Sequence, residues 1–121
     1  MELAVQVYRA TSMFPKDELY SLTQQMRRAA VSVLSNIAEG KGHKSAKEFC
    51  QYLFHARGSL LELQTQVMIA RRLDYFTEQQ MGSVLDLAGQ VGRSLSGLIN
   101  SLNEKAPSLP TAKDQQPTTV F

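Results

Sequence analysis

Apolar residues recur at alternating steps of three and four along most of this chain, the period of helices packed in a bundle. A first stripe is Leu3, Val7, Ala10 and Phe14. A second is Leu19, Leu22, Met26, Ala29 and Val33, with Ile37 continuing on its flank. A third runs Ala46, Phe49, Leu53, Ala56, Leu60, Leu63, Val67 and Ala70, and a fourth Met81, Val84, Ala88, Val91, Leu95, Leu98 and Leu102. No segment alternates with the period of two that a half-buried strand needs. The pattern predicts an all-α protein with four helices.

Start and stop signals fall between the stripes. Phe14-Pro15 is expected to end helix one and start helix two, because proline tolerates a first helical turn but not an interior. Asp17 and Glu18 then sit where the helix dipole favours negative charge. Gly40 and Gly42 are expected to close helix two through a left-handed cap. Ser45-Ala46-Lys47-Glu48 and Thr77-Glu78-Gln79-Gln80 read as capping boxes opening helices three and four. At ~1.5 Å per residue helix three should be roughly 40 Å long, with helices two and four only a little shorter. Short connections between long helices imply an antiparallel, up-down-up-down four-helix bundle over residues 1–105.

From 106 to 121 the period is lost, and Pro107, Pro110 and Pro117 interrupt a polar stretch. Such a tail cannot bury enough surface to order alone. It is expected to run extended across a bundle surface, anchored by Leu109 and Phe121 against an adjoining subunit or a neighbouring molecule in a crystal.

The formal net charge of +2 does not by itself announce a nucleic-acid binder. A lone cysteine, Cys50, makes no intrachain disulfide, and a reducing cytoplasm is the expected compartment. The N-terminus lacks the basic and apolar regions of a signal peptide. No apolar run approaches the ~20 residues of a membrane span. Cys50, His43 and His55 are the soft metal ligands, and Cys50 and His55 are spaced too awkwardly to share a helix face. Gly40-Lys41-Gly42 follows a helix instead of linking a strand to one, so it is no phosphate loop. No cofactor and no catalytic activity are expected.

Helix three carries more apolar surface than one core needs. Phe54, Leu61 and Met68 lie around the helix from the Leu53/Leu60/Val67 row, with Ile69 beside them. A broad core stripe is one explanation; a contact between chains is the favoured one. Gly58, Gly89 and Gly92 weaken their helices by ~1 kcal/mol each and are expected where helices approach closely. Between residues 27 and 47 lie Arg27, Arg28, Lys41, Lys44 and Lys47, with Glu39 the one acid. Singly, each can be a solvated or dipole-complementing charge; together they suit phosphate contacts. Asn36 falls where the stripe calls for an apolar residue and Glu39 sits badly beside a helix C-terminus. Each is expected to have a specific partner, with Arg28 or Lys41 serving Glu39.

Several stretches carry a family resemblance: Phe14-Pro15-Lys16-Asp17-Glu18-Leu19-Tyr20-Ser21-Leu22, Arg27-Arg28-Ala29-Ala30-Val31-Ser32 and Ser35-Asn36-Ile37-Ala38-Glu39-Gly40. Ala56-Arg57-Gly58-Ser59-Leu60-Leu61-Glu62-Leu63 continues it. The chain resembles the bacterial four-helix-bundle proteins of 23S rRNA intervening sequences, most closely from Phe14 to Leu63. The resemblance implies a ring-like homopentamer. It also implies similarity to accessory proteins of diversity-generating retroelements, which partner a reverse transcriptase and bind nucleic acid through a basic surface. Leu34 stands where that family usually has proline.

These readings converge on a non-catalytic oligomeric scaffold associated with RNA or DNA through Arg27, Arg28, Lys41, Lys44 and Lys47. The alternative is a protein–protein scaffold with no nucleic-acid binding.

Overall fold

A computed structural model describes residues 1–43 and 45–105. The described residues form α1 (Glu2–Thr11), α2 (Gln24–Lys41), α3 (Ala46–Arg72) and α4 (Glu78–Lys105), and contain no strand. The tail with Leu109 and Phe121, and Lys44, lie outside the described residues.

The stripes form one core. Leu3, Val7, Phe14, Met26, Ala29, Val33, Leu53, Ala56, Leu60, Leu63, Val67, Ala70, Val84, Ala88 and Leu95 are all buried. The core also takes Ala30, Cys50 and Ile99, each adjacent in sequence to a stripe position, because a core-facing stripe is broader than a two-residue seam. Thr11 is buried as well; its hydroxyl donates to the Val7 carbonyl at 2.7 Å.

Helix two does not begin at Pro15. Pro15 is extended (φ −54°, ψ 141°), a 3₁₀ turn follows over Lys16–Glu18, and a π turn covers Leu19–Thr23 before α2 begins. The wide π turn lags behind α-helical phase, so Leu19 leaves the core stripe and is 43% exposed. The irregular start also leaves α2 with 18 residues, against 27 in α3 and 28 in α4. The expectation that helix two is nearly as long as helix three is thereby overturned. At Leu34, where the resemblance implies proline, α2 continues unbroken.

The helix ends differ from expectation in an instructive way. Gly42 caps α2 with right-handed angles (φ −74°, ψ −13°), and no glycine among the described residues has positive φ. The left-handed residue is Asp74 (φ 62°), which ends α3. There Asp74 N–H donates to Arg71 O at 3.0 Å and Tyr75 N–H to Ala70 O at 2.9 Å, the paired bonds of a Schellman cap. The two capping boxes also diverge. Thr77 and Gln80 close both reciprocal bonds, at 3.1 and 2.8 Å. Ser45 accepts from Glu48 N–H at 3.4 Å, but the Glu48 carboxylate turns to His43 Nδ1 at 2.7 Å.

Gly40 marks a close approach of α2 to α3. A Cβ there would lie 2.8 Å from both Phe49 Cδ1 and Tyr52 Cβ. The Tyr52 atom is anchored to its backbone and cannot swing away. Gly40→Ala is expected to destabilise the fold by about 1–2 kcal/mol, overpacking outweighing the better helix propensity of alanine; chemical denaturation measures it. Of the glycines expected at close approaches, only Gly92 fits, with Leu60 Cδ2 3.4 Å from its would-be Cβ. A Cβ on Gly89 would meet only Arg93 of its own helix, and Gly58 faces open space.

Asn36 finds its partner within α2, donating to Ser32 O at 2.8 Å and Ser32 Oγ at 3.1 Å; Ser32 Oγ in turn lies 2.8 Å from Ser59 Oγ on α3. Glu39 is exposed and pairs with neither Arg28 nor Lys41.

A latch joins the 3₁₀–π segment to the α3–α4 corner. Tyr75 OH donates to Glu18 Oε2 at 2.8 Å, and the Ser21 hydroxyl donates to Glu18 Oε1. The hydrogen bond from Ser21, then that from Tyr75, holds the Glu18 carboxyl below its ordinary range. The same bond to Glu18, then burial, pushes the Tyr75 phenol up. A depressed carboxyl contributes stability above its unfolded pKa that is lost as pH falls through the folded value. A raised phenol contributes stability below its unfolded pKa that is lost as pH rises through the folded value. The latch is therefore strongest between the carboxylate and tyrosine ranges. In melting curves against pH, Tyr75→Phe should lower stability most at neutral pH and converge with the parent in acid.

Candidate nucleic-acid interface

Arg27 sits at the end of the first turn of α2, where the chain returns past α1. Its Nε donates to Thr11 Oγ1 at 2.9 Å and its Nη2 to the Tyr8 carbonyl at 3.4 Å. Its guanidinium carbon lies 4.6 Å from the centre of the Tyr8 ring, a cation–π contact. These bonds fix Arg27 against α1 and hold the Tyr8 ring beside it.

Around this pair runs a groove of about 580 Å³, lined by Tyr8, Leu19, Tyr20, Gln24, Arg27, Arg28, Val31 and Ser32. Arg28 is exposed, and Tyr20 is 85% exposed. No acidic residue lines the groove. The π turn builds one wall, because it displaces Leu19 from the core stripe and carries Tyr20 beside it.

Among the described residues, the basic groups expected from the sequence do not converge. Arg27 and Arg28 belong to this groove, whereas Lys41 is exposed at the far end of α2 and Lys47 on the first turn of α3. Lys41 lies thirteen positions beyond Arg28, so at ~1.5 Å per residue the two are roughly 20 Å apart along the helix. Lys44 is outside the described residues. Proximity in sequence misled because α2 itself intervenes.

The apolar row on α3 also divides. Phe54 is half-buried and packs against the core. Leu61 (39%) and Met68 (50%) are exposed, as are Ile69 and Leu73. Met68, Ile69 and Leu73 share a groove with Arg71 and Arg72, but Arg71 is held by Asp74 at 3.1 Å and Glu78 at 3.8 Å.

Other chemistry-bearing groups have structural partners. Cys50 is buried, and burial pushes its thiol up. The His43 ring stacks on Tyr52 at 5.0 Å, and His55 meets Tyr52 edge-on at 6.3 Å. Among the described residues no three His, Cys, Asp or Glu side chains are grouped to hold a metal, and no helix is long and apolar enough to cross a membrane.

A sequence model of the 23S rRNA-intervening sequence protein family matches residues 1–97. The chain belongs to that family. No curated protein matches it. Within the matched span, one stretch that carried the resemblance divides its residues between two tasks. In Arg27-Arg28-Ala29-Ala30-Val31-Ser32 the alanines are buried in the core, while the arginines, Val31 and Ser32 line the groove. Tyr8 and Tyr20 were not singled out from the sequence. Their one signal was position: each follows a stripe residue, Val7 and Leu19, and so stands off the apolar period.

Proposed function

We propose that this intervening-sequence protein is a non-catalytic, self-assembling scaffold that associates with RNA through the groove between α1 and α2. The observation that carries the reading is a division of surface: an arginine-lined groove without acids on α1, the π turn and α2, and an exposed apolar row on α3. The two share no residue, so assembly through one leaves the other available. An exposed row of this kind is a liability in a monomer, and a second copy of the chain covers it.

The subunit follows the up-down-up-down course, supported by contacts that step in opposite directions along α2 and α3: Ser32 meets Ser59, and Gly40 approaches Phe49 and Tyr52. The ring of five subunits and a reverse transcriptase as a partner rest on the resemblance, and the cytoplasmic setting on the lone Cys50. Lys41 and Lys47 supply further phosphate contacts at the opposite end of α2.

Binding of a fluorescent single-stranded RNA across a salt series tests the reading. Dissociation constants of about 10⁻⁶–10⁻⁴ M per subunit are expected, with log affinity falling linearly against log salt. Arg28→Gln should weaken binding and reduce that slope by about one. An interaction indifferent to salt would favour the protein–protein scaffold.

A further inference from the structure

We infer that the α1–α2 groove is a base-stacking site, selective for unpaired nucleotides over duplex. The inference rests on the nucleic-acid reading above and adds to it the form of nucleic acid and the residues that choose it.

Two aromatic rings stand at this groove outside the core. Tyr20 is 85% exposed and Tyr8 is 47% exposed, although tyrosine rings are large enough to repay burial. Neither ring packs on another aromatic side chain among the described residues. Tyr8 instead supports Arg27 at 4.6 Å. The other contacts of Arg27 go through Nε and Nη2, leaving Nη1 without a protein partner among the described residues. An ordered guanidinium, an exposed arginine and two tyrosine rings in one acid-free groove are the components of single-strand recognition. The rings stack on base faces while the arginines meet the backbone. The volume, about 580 Å³, lies within the ~300–1,000 Å³ of clefts that hold small ligands. A duplex keeps its base faces internal and so offers the tyrosines nothing.

Tyr20 makes the cleanest probe, because a side chain so exposed contributes little to the fold. The test compares a 12-nucleotide single-stranded RNA, its DNA counterpart and the matching RNA duplex, each titrated against the full chain. The single strands should bind more tightly than the duplex. Tyr20→Ala should weaken single-strand binding by about 5- to 150-fold, with the salt slope unchanged. Tyr20→Phe, which keeps the ring, should bind as the parent does. The chain has no tryptophan, so quenching of its tyrosine emission by the single strand reports stacking directly.

Equal binding of duplex and single strand would overturn the inference. So would parental affinity in Tyr20→Ala beside weakened binding in Arg28→Gln; the phosphate-contacting function would then stand and stacking would fall. A change of oligomeric mass in Tyr20→Ala would make the groove a subunit contact and also overturn it. Failure of the parent to bind any of the three probes removes both readings.

Discussion

Phe76→Ala is expected to cost the fold about 3–5 kcal/mol, more than any surface change in this protein. Phe76 lies in the connection between α3 and α4, yet it is 2% exposed and the largest fully buried side chain among the described residues. Its ring meets Phe14 edge-on, with centroids 4.8 Å apart, and Tyr75 flanks Phe14 from the neighbouring position at 5.2 Å. This aromatic plug closes the end of the core where α1 has already ended and the 3₁₀ and π turns replace a regular helix. Truncation would leave a cavity bordered by backbone that is already committed to a Schellman cap and a capping box, so collapse around it is restricted. The melting temperature should fall by roughly 10–20 °C, with helical circular dichroism retained below the transition. A loss under 1 kcal/mol would mean that the corner repacks freely and is not a closure of the core.

The second large effect concerns assembly. Leu61→Asp should reduce the protein to single chains. Leu61 is 39% exposed and continues toward Met68, Ile69 and Leu73 along the outer side of α3. Carrying a carboxylate into an apolar contact without a partner costs several kcal/mol, enough to split an assembly at micromolar concentration. Since the side chain is partly exposed in the subunit, the isolated chain should remain helical and cooperative on melting. Met68→Asp, at 50% exposure, is the control against local misfolding. Light scattering during size exclusion gives the mass, and an unchanged mass in both variants would remove this row from the interface.

Much of the architecture was written in the spacing of apolar residues, because a helix that buries one side repeats its apolar positions at steps of three and four. The exceptions have separate physical origins. Leu19 follows the period but leaves the core, since the π turn changes the angular step and no residue there announces it. Phe76 was invisible because a connection has no period, and an isolated aromatic can as easily be exposed as buried. The position of Gly40 predicts a left-handed cap, whereas its value is the absence of a side chain against Tyr52. The left-handed cap itself fell to Asp74, a residue that tolerates that conformation through a short polar side chain.

The candidate site was less legible. Arg27 and Arg28 are legible in the sequence, but Lys41 and Lys47, which sequence proximity groups with them, lie at the other end of α2. Tyr8 and Tyr20 come from separate elements and meet the arginines only because the chain folds back between α1 and α2. Local composition does not report such a meeting.

Whether one molecule both assembles and holds RNA is decided by weighing it with and without RNA. Light scattering is recorded at low and high salt, using a single-stranded RNA long enough to reach several subunits. A multi-subunit mass is expected without RNA in both buffers. At low salt that mass should rise by the mass of bound RNA, and at high salt return to the protein assembly alone. A single-chain mass at micromolar concentration that RNA leaves unchanged at low salt would contradict it.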